Sequence, residues 1–384
     1  MYTIIYDFGT SSVKTCLFDI SKTIRLISGH SANYPLYTTD DGGVEQNTDE
    51  WWHAICSTTK KIFQLCDVKP EEISGIAFCT QIQGSVFVDR QGNALRRPMN
   101  YLDQRGVNEY KKCMCSGPIK VSGCNLFKLV RNLAVNYAAS TSAKDPVWKY
   151  KWVEKNEPEI FNKAYKWLDI NDYLAARCTG NIFRTADSAF ATFLYDTRKG
   201  REGWNKGLLK MYGINPRHLP KIINCTDLAG GLTEKAASEL GLVPGTPVYA
   251  GGGDTTFVSI GAGATRVGDT HIYVGTSGWV STFLDHQVVD INQMLSDITG
   301  RRIETINNPQ EAGAVGAALV VAAGIRGCDV RKLARKLVKP VHTYVPDLKN
   351  RKIYERNYRV FKQLYKTNSG NFKKINARTK ENKG

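Results

Sequence analysis

The sequence predicts an α/β protein of two lobes, and three observations carry that expectation. The opening, Thr3-Ile-Ile-Tyr-Asp-Phe-Gly-Thr-Ser-Ser-Val-Lys-Thr-Cys-Leu-Phe-Asp19, reads as a strand, a tight turn and a second strand, because aromatic and β-branched residues flank Gly-Thr-Ser-Ser. A related pattern, His271-Ile-Tyr-Val-Gly-Thr-Ser-Gly-Trp-Val-Ser-Thr-Phe-Leu284, recurs late in the chain. Two copies of one strand-turn-strand unit point to two similarly built lobes facing one another. Between the copies, strand-like and helix-like segments alternate, as layered α/β folds require.

Each element follows from its residues. Ile73 to Phe78 and Ser85 to Asp89 read as strands, and Asp89-Arg-Gln-Gly-Asn93 as a hairpin turn. Helices are expected over Trp148 to Lys155, Asn171 to Cys178 and Lys206 to Tyr212. Leu242-Val-Pro-Gly-Thr-Pro-Val248 reads as a turn entering a strand, and its Pro and Gly mark a lobe boundary. Ala312 to Ala323, almost entirely small and apolar, reads as a closely packed buried helix. Residues 1–247 are thus assigned to a first lobe, 248–348 to a shortened second lobe, and 349–384 to a basic helix and tail.

Composition bounds the function. The 384 residues are 42% hydrophobic, 10% aromatic and 23% charged, which excludes collagen-like, wholly disordered and disulfide-stapled chains. No apolar run approaches the roughly 18–20 residues that cross a bilayer, and Met1 to Asp7 lacks the pattern of a secretory signal. Ten irregularly spaced cysteines fit reduced thiols, so a cytoplasmic location and no membrane partner are expected. The net charge of +16 is concentrated at the end, where 349–384 hold twelve basic side chains against Glu355 and Glu381. In that tail Ile353, Tyr354, Tyr358, Phe361, Leu364 and Tyr365 recur at helical spacing, which fits a packed helix with solvated cations better than a nucleic-acid site.

Two constellations can carry chemistry. A Gly9-Thr10-Ser11-Ser12 turn offers backbone N–H groups and hydroxyls to one anion, while Asp7 could hold a hydrated Mg²⁺ and Lys14 could add positive charge. Taken alone, it is also an ordinary hairpin. With no GxxxxGK[ST] run the chain is not a P-loop NTPase. In Gly251-Gly-Gly-Asp254 the glycines let backbone approach a ligand, and the carboxylate could take a hydroxyl proton, work that raises rates by about 10²–10⁴. The bland alternative is an Asp bonding its own turn. Cys113 and Cys115 lack a second pair at zinc spacing, and Trp51, Trp52, Trp148 and Trp152 are assigned to core or helix faces.

Asp7-Phe-Gly-Thr-Ser-Ser-Val-Lys14, Gly251-Gly-Gly-Asp254 and Gly275-Thr-Ser277 occur in the order seen in the FGGY carbohydrate kinases, and most resemble the xylulokinase-like branch. Thr80-Gln-Ile-Gln-Gly84 resembles its sugar-contacting loop, and Tyr101-Leu-Asp-Gln-Arg105 its Trp-Asn-Asp-Gln-Arg segment. Pro146 to Asn156 is similar to the first family signature, with Lys149 and Trp152 in place, while Gln293 to Gly300 and Glu311 to Ala318 look like the segments after the adenosine loop. The resemblance implies an actin-like ATPase (ribonuclease H-like) fold and transfer of the γ-phosphoryl of Mg-ATP to a sugar hydroxyl, of xylulose or a related ketopentose or polyol. It implies Asp254 as catalytic base, Asp7 with Thr10 and Ser11 serving Mg²⁺ and ATP phosphates, and Gly275, Thr276 and Ser277 as a second phosphate loop. Gln81, Gln83 and Asp103 would face the sugar. Self-association as a homodimer is left open.

Three departures stand out. Ile82-Gln83 replaces the branch's Met-His, and Gln can exchange hydrogen bonds with a polyol but carries no charge. Thr255-Thr256 follows Asp254 where Asn-Ala is frequent. Only 15 residues separate Ser277 from Gln293, where the family has on the order of a hundred, close to a small domain. This reads as an internal deletion that removes adenosine-binding residues. A sugar kinase, a sugar-binding module without turnover, and a nucleic-acid-binding protein are the three functions to be separated.

Overall fold

The computed structural model of the chain describes residues 1–121, 123–266, 269–274, 278–282, 303–306 and 312–344. The tail from Ile353 to Tyr365 and the Gly275–Ser277 loop lie outside them, as do Gln293 to Gly300.

A mixed sheet organises the larger unit. Its strands run in the order Leu228–Gly231, Pro247–Tyr249, Ile73–Thr80, Tyr2–Phe8, Ser12–Asp19, Arg25–Asn33, and Gly252–Gly253 adds to the far end of Ile73–Thr80. The expected opening hairpin is present, with Tyr2 opposite Asp19 and Phe8 opposite Val13. Tyr2–Phe8 then runs parallel to Ile73–Thr80, which puts Asp7 beside Cys79.

Strand periodicity divides the interior in two. Ile4, Tyr6, Phe8, Leu17, Ile76 and Phe78 enter one core with Trp51, Ile55 and the helix Ile170–Thr179. The intervening Ile5, Cys16, Phe18, Ala77 and Cys79 enter the other, against the helix Ala312–Arg326. Side chains that alternate across a strand thus make both faces apolar, so helices must cover both. The alanine-rich run forms the buried helix its composition predicts. Its small residues allow close packing: a Cβ on Gly316 would fall on the Phe257 carbonyl, and one on Gly261 on that of Ala312.

A third core joins Phe87, Trp148, Tyr150, Trp167, Leu208 and Tyr212. Here Pro146–Asn156 and Lys206–Tyr212 are helices as expected, and Val86–Val88 pairs with Lys166–Leu168. The Asp89–Asn93 turn closes through Asp89 N–H to the Asn93 carbonyl at 3.0 Å. Trp51 and Trp148 are fully buried and Trp52 nearly so, as assigned. Trp152 is half-buried, with the Arg105 guanidinium 4.3 Å above its ring.

By contact the chain divides into two units. The larger holds residues 1–269, 282–289 and 308–339, and the smaller holds 270–281, 290–307 and 340–384. In the smaller, Thr270–Val274 pairs with Gly278–Thr282, the expected late strand-turn-strand, and Ile303–Ile306 pairs antiparallel with Pro340–Tyr344. All ten cysteines are free, and among the described residues no helix is long and apolar enough to cross a membrane.

Candidate functional site

The Gly9–Ser12 turn is fixed from behind. Its first and last residues close it, Gly9 N–H donating to the Ser12 carbonyl at 2.9 Å. The Tyr34 hydroxyl donates to the carbonyls of Gly9 and Ser12 at 2.6 and 3.0 Å, and Tyr34 N–H to that of Ser11 at 3.0 Å. Gln46 Nε2 donates to the Thr10 carbonyl at 2.7 Å, and the Thr10 hydroxyl reaches that of Tyr101 at 3.3 Å. Every carbonyl of the turn is therefore drawn toward protein donors. An anion-binding turn needs that polarity, because its carbonyls must face away from the ligand.

The end of Ile73–Thr80 is the spine of the site. Asp7 stands beside Cys79 on one edge and opposite Lys14 in the hairpin. On the other edge Gly252 pairs with Cys79 and Gly253 with Thr80, which delivers Asp254 as the first residue of the helix Asp254–Gly261. Burial pushes the Cys79 thiol up, and the charges of Asp7, Asp254 and Asp187 push it further. Three carboxylates thus surround one strand end.

Asp254 is half-buried. Burial pushes its carboxyl up to about 6, with Asp187 adding, while the Thr255 N–H (2.7 Å) and hydroxyl (3.2 Å) on Oδ1 pull it back. A carboxylate held near neutrality suits general-base work. The glycines before it are required by contact: a Cβ on Gly251, whose φ is +70°, would lie 2.5 Å from the Phe78 carbonyl. One on Gly253 would run into Ile82 Cγ2 and sit 2.9 Å from Asp187 Oδ2.

Asp187 is the partner that sequence reasoning missed. It accepts the Gly253 N–H at 2.7 Å and the Thr256 hydroxyl at 2.6 Å, so it holds both flanks of Asp254. Thr256, one of the departures, thereby finds its contact. In sequence Asp187 looks like an ordinary first-turn acid behind the Thr185 N-cap, and no local signal marks it.

Gln81, Gln83 and Asp103 lie in the same unit but differ in setting. Gln81 is buried, and its Nε2 donates to the Gly9 carbonyl (3.1 Å) and to Gln46 Oε1 (3.0 Å), so the residue ties its loop to the first turn. Its Oε1 has no partner. Gln83 is half-buried with φ +66°. Asp103 is fully buried and accepts from Val44 N–H at 2.9 Å and from Arg105 Nη2 at 2.7 Å. Arg105 also binds Glu45 at 2.6 Å. Among the described residues no group of three or more His, Cys, Asp or Glu forms a metal cluster. Mg²⁺ does not need one, since it takes one or two carboxylates plus phosphate oxygens and water.

Comparison with known proteins places this geometry. The profile of the FGGY family of carbohydrate kinases, N-terminal domain, matches residues 2–261. The xylulose kinase of Bacillus subtilis (strain 168) is 29% identical over 290 residues, which is 75% of this chain and 55% of the relative. The gluconokinase of the same strain is 27% identical over 290 residues, 75% of this chain and 53% of the relative. The chain spans about half the length of the curated relatives it matches. Among solved structures, a ligand-bound xylulose kinase from Lactobacillus acidophilus superposes with a TM-score of 0.82 at 15% identity, covering 97% of this chain and 99% of that one. A Plasmodium falciparum glycerol kinase with ADP gives 0.75 at 14% identity, covering 94% and 98%. These neighbours carry the actin-like ATPase fold that the sequence predicts.

Proposed function

Because this chain belongs to the FGGY family of carbohydrate kinases, we propose that it binds a sugar or polyol and serves its phosphorylation by Mg-ATP. The observation that carries this reading is the meeting of Asp7, Asp254 and the Gly9–Ser12 turn around the end of one strand. The residues fit the reactants. Asp7 is a hard oxygen donor, and the turn beside it has its carbonyls facing away from the site. Asp7, with Gly9, Thr10, Ser11, Ser12 and Lys14, would hold the hydrated Mg²⁺ and the phosphates; Gly275, Thr276 and Ser277 are proposed for the second phosphate contact. Bound Mg-ATP supplies the phosphoryl group and neutralises charge as it transfers. The relative solved with ADP supports a nucleotide.

The work left to the chain is positioning and one proton. Asp254 accepts the proton of the attacking hydroxyl, and Asp187 keeps that carboxylate in place. Gln81, whose Oε1 is buried without a partner, and the half-buried Gln83 are the neutral amides proposed to face the sugar. Asp103 shapes the same side through its hold on Arg105. A xylulose-like ketopentose or a related polyol is the proposed class, supported by the xylulose kinase and gluconokinase relatives. A cytoplasmic location goes with this reading, supported by the free cysteines.

A coupled ADP-release assay over D-xylulose, D-ribulose, D-gluconate and glycerol tests the reading. Sugar-dependent release that disappears in Asp254→Ala is expected; release indifferent to every sugar would refute it. The short stretch of 15 residues between Ser277 and Gln293, where adenosine-binding residues are expected, favours a second reading, a sugar-binding module without turnover. Calorimetric heat with sugar and none with ATP would select it.

A further inference from the structure

The loop 81–84 is held in a conformation its residues do not favour. Gln83 has a φ of +66°, a left-handed backbone that side chains other than Gly rarely adopt. Such a conformation persists only where surrounding groups over-determine it. Two buried charges do so here. Asp169, 1% exposed, accepts the N–H of Gln83 at 3.1 Å and that of Gly84 at 2.9 Å. Lys149, with no exposure, donates from Nζ to the Gln83 carbonyl at 2.7 Å. Gly84 permits the approach, since a Cβ there would lie 2.6 Å from Ile170 Cγ1.

An ammonium is a costly group to bury for the sake of one backbone carbonyl. Its helix neighbours Val147, Trp148, Tyr150 and Val153 are buried and supply the packing, so Lys149 is not needed as filler. The fold keeps it charged. Burial pulls its pKa down to about 8, while Asp103, Asp145 and Asp169 hold it up and only Lys144 opposes them. Asp103 belongs to the segment Tyr101–Arg105, so the charge of Lys149 is coupled to both stretches assigned to the sugar, although its hydrogen bond goes to Gln83.

We propose that Lys149 is a positioning residue for sugar recognition, which with Asp169 clamps Gln83 in its left-handed conformation and so aims the Gln83 amide at the ligand. This rests on the sugar-binding reading above. Lys149 touches no ligand; it acts through the carbonyl of Gln83.

The test uses the full chain and two readouts. Amide hydrogen exchange at Gln83 and Gly84 reports the clamp without any ligand, and calorimetric titration with D-xylulose and D-gluconate reports its consequence. Lys149→Met is expected to speed exchange at both amides and weaken sugar binding by about 10- to 100-fold, the cost of a group misplaced by roughly an ångström. In a Gln83→Gly background, where the left-handed backbone needs no clamp, Lys149→Met should weaken binding no further. If Lys149→Met fails to fold, Asp169→Asn removes the other jaw and is read the same way. Unchanged exchange and affinity would overturn the proposal. An undiminished loss in the Gln83→Gly background would overturn it too, because Lys149 would then act on the whole fold. If no sugar binds the wild-type chain while exchange still rises in Lys149→Met, the clamp stands and the sugar reading falls.

Discussion

Replacing Asp254 by Asn separates its chemical role from its cost to the fold. The carboxyl is raised from 3.8 to about 6 by burial, roughly two pKa units. At about 1.4 kcal/mol per unit, the shift amounts to an upper bound of about 3 kcal/mol. The sign follows from linkage. Between these values the folded chain binds more protons than the unfolded one, so stability falls as pH rises from about 4 to about 6. Below about 4 both states are protonated and the cost is absent; above about 6 it is fully present. Asn keeps an oxygen for the Thr255 N–H and removes the charge beside Asp187. The variant should therefore match the wild type near pH 4 and exceed it by about 2–3 kcal/mol at pH 8, while losing about 10²–10⁴ in turnover. Denaturant midpoints taken every half unit from pH 4 to pH 8 would show the two curves diverging. A constant gap over that range would show that Asp254 is not the buried, high-pKa carboxyl, and the argument for a poised base would fail with it.

Three further outcomes are expected. Gly253→Ala places a methyl against Ile82 and Asp187, and should destabilise by about 1–3 kcal/mol with loss of sugar-dependent ADP release, read by thermal melting and the coupled assay. Asp187→Ala frees the Gly253 N–H and Thr256 hydroxyl and removes a neighbouring charge; turnover should fall about tenfold or more, and the acidic limb that a base of Asp254's raised pKa would give the pH–rate profile should move to lower pH. Arg105→Leu leaves the buried Asp103 carboxylate without its ion partner, while Glu45 keeps Arg96, and should cost about 3–5 kcal/mol in a denaturant titration.

What the sequence revealed and what it hid follow a physical line. Local signals were readable: the opening hairpin, the Lys206–Tyr212 helix, the alanine-rich helix and the Gly-Gly-Gly-Asp254 turn all declare themselves within a few residues. Gln81 stood out in the Thr80–Gly84 motif, but its hold on the Gly9 carbonyl did not. Asp187, Asp169 and Lys149 act across 66 to 86 residues of chain, and no periodicity encodes such pairs. Arg184 shows the same limit: a fully buried guanidinium, 4.7 Å over Trp167 and 3.5 Å from Asp172, is invisible in a list of surface-prone residues. Elsewhere hydropathy points the wrong way. On the helix Leu126–Asn136, Asn132 and Asn136 are inside, bonded to the carbonyls of Phe193 and Tyr195, while Phe127 and Val130 face out. Backbone groups needing partners, not apolar area, decide which side is buried there.

The glycine contacts between Asp254–Gly261 and Ala312–Arg326 carry a mechanical consequence. Two helices whose main chains touch at Gly261 and Gly316 have no compliant layer of side chains between them. Neither can slide or tilt without the other, and Ala317, Val320 and Val321 bolt the second to the sheet that bears Asp7. Asp254 and Asp7 therefore ride on one stiff chassis. In the proposed reaction, whatever moves must travel to them.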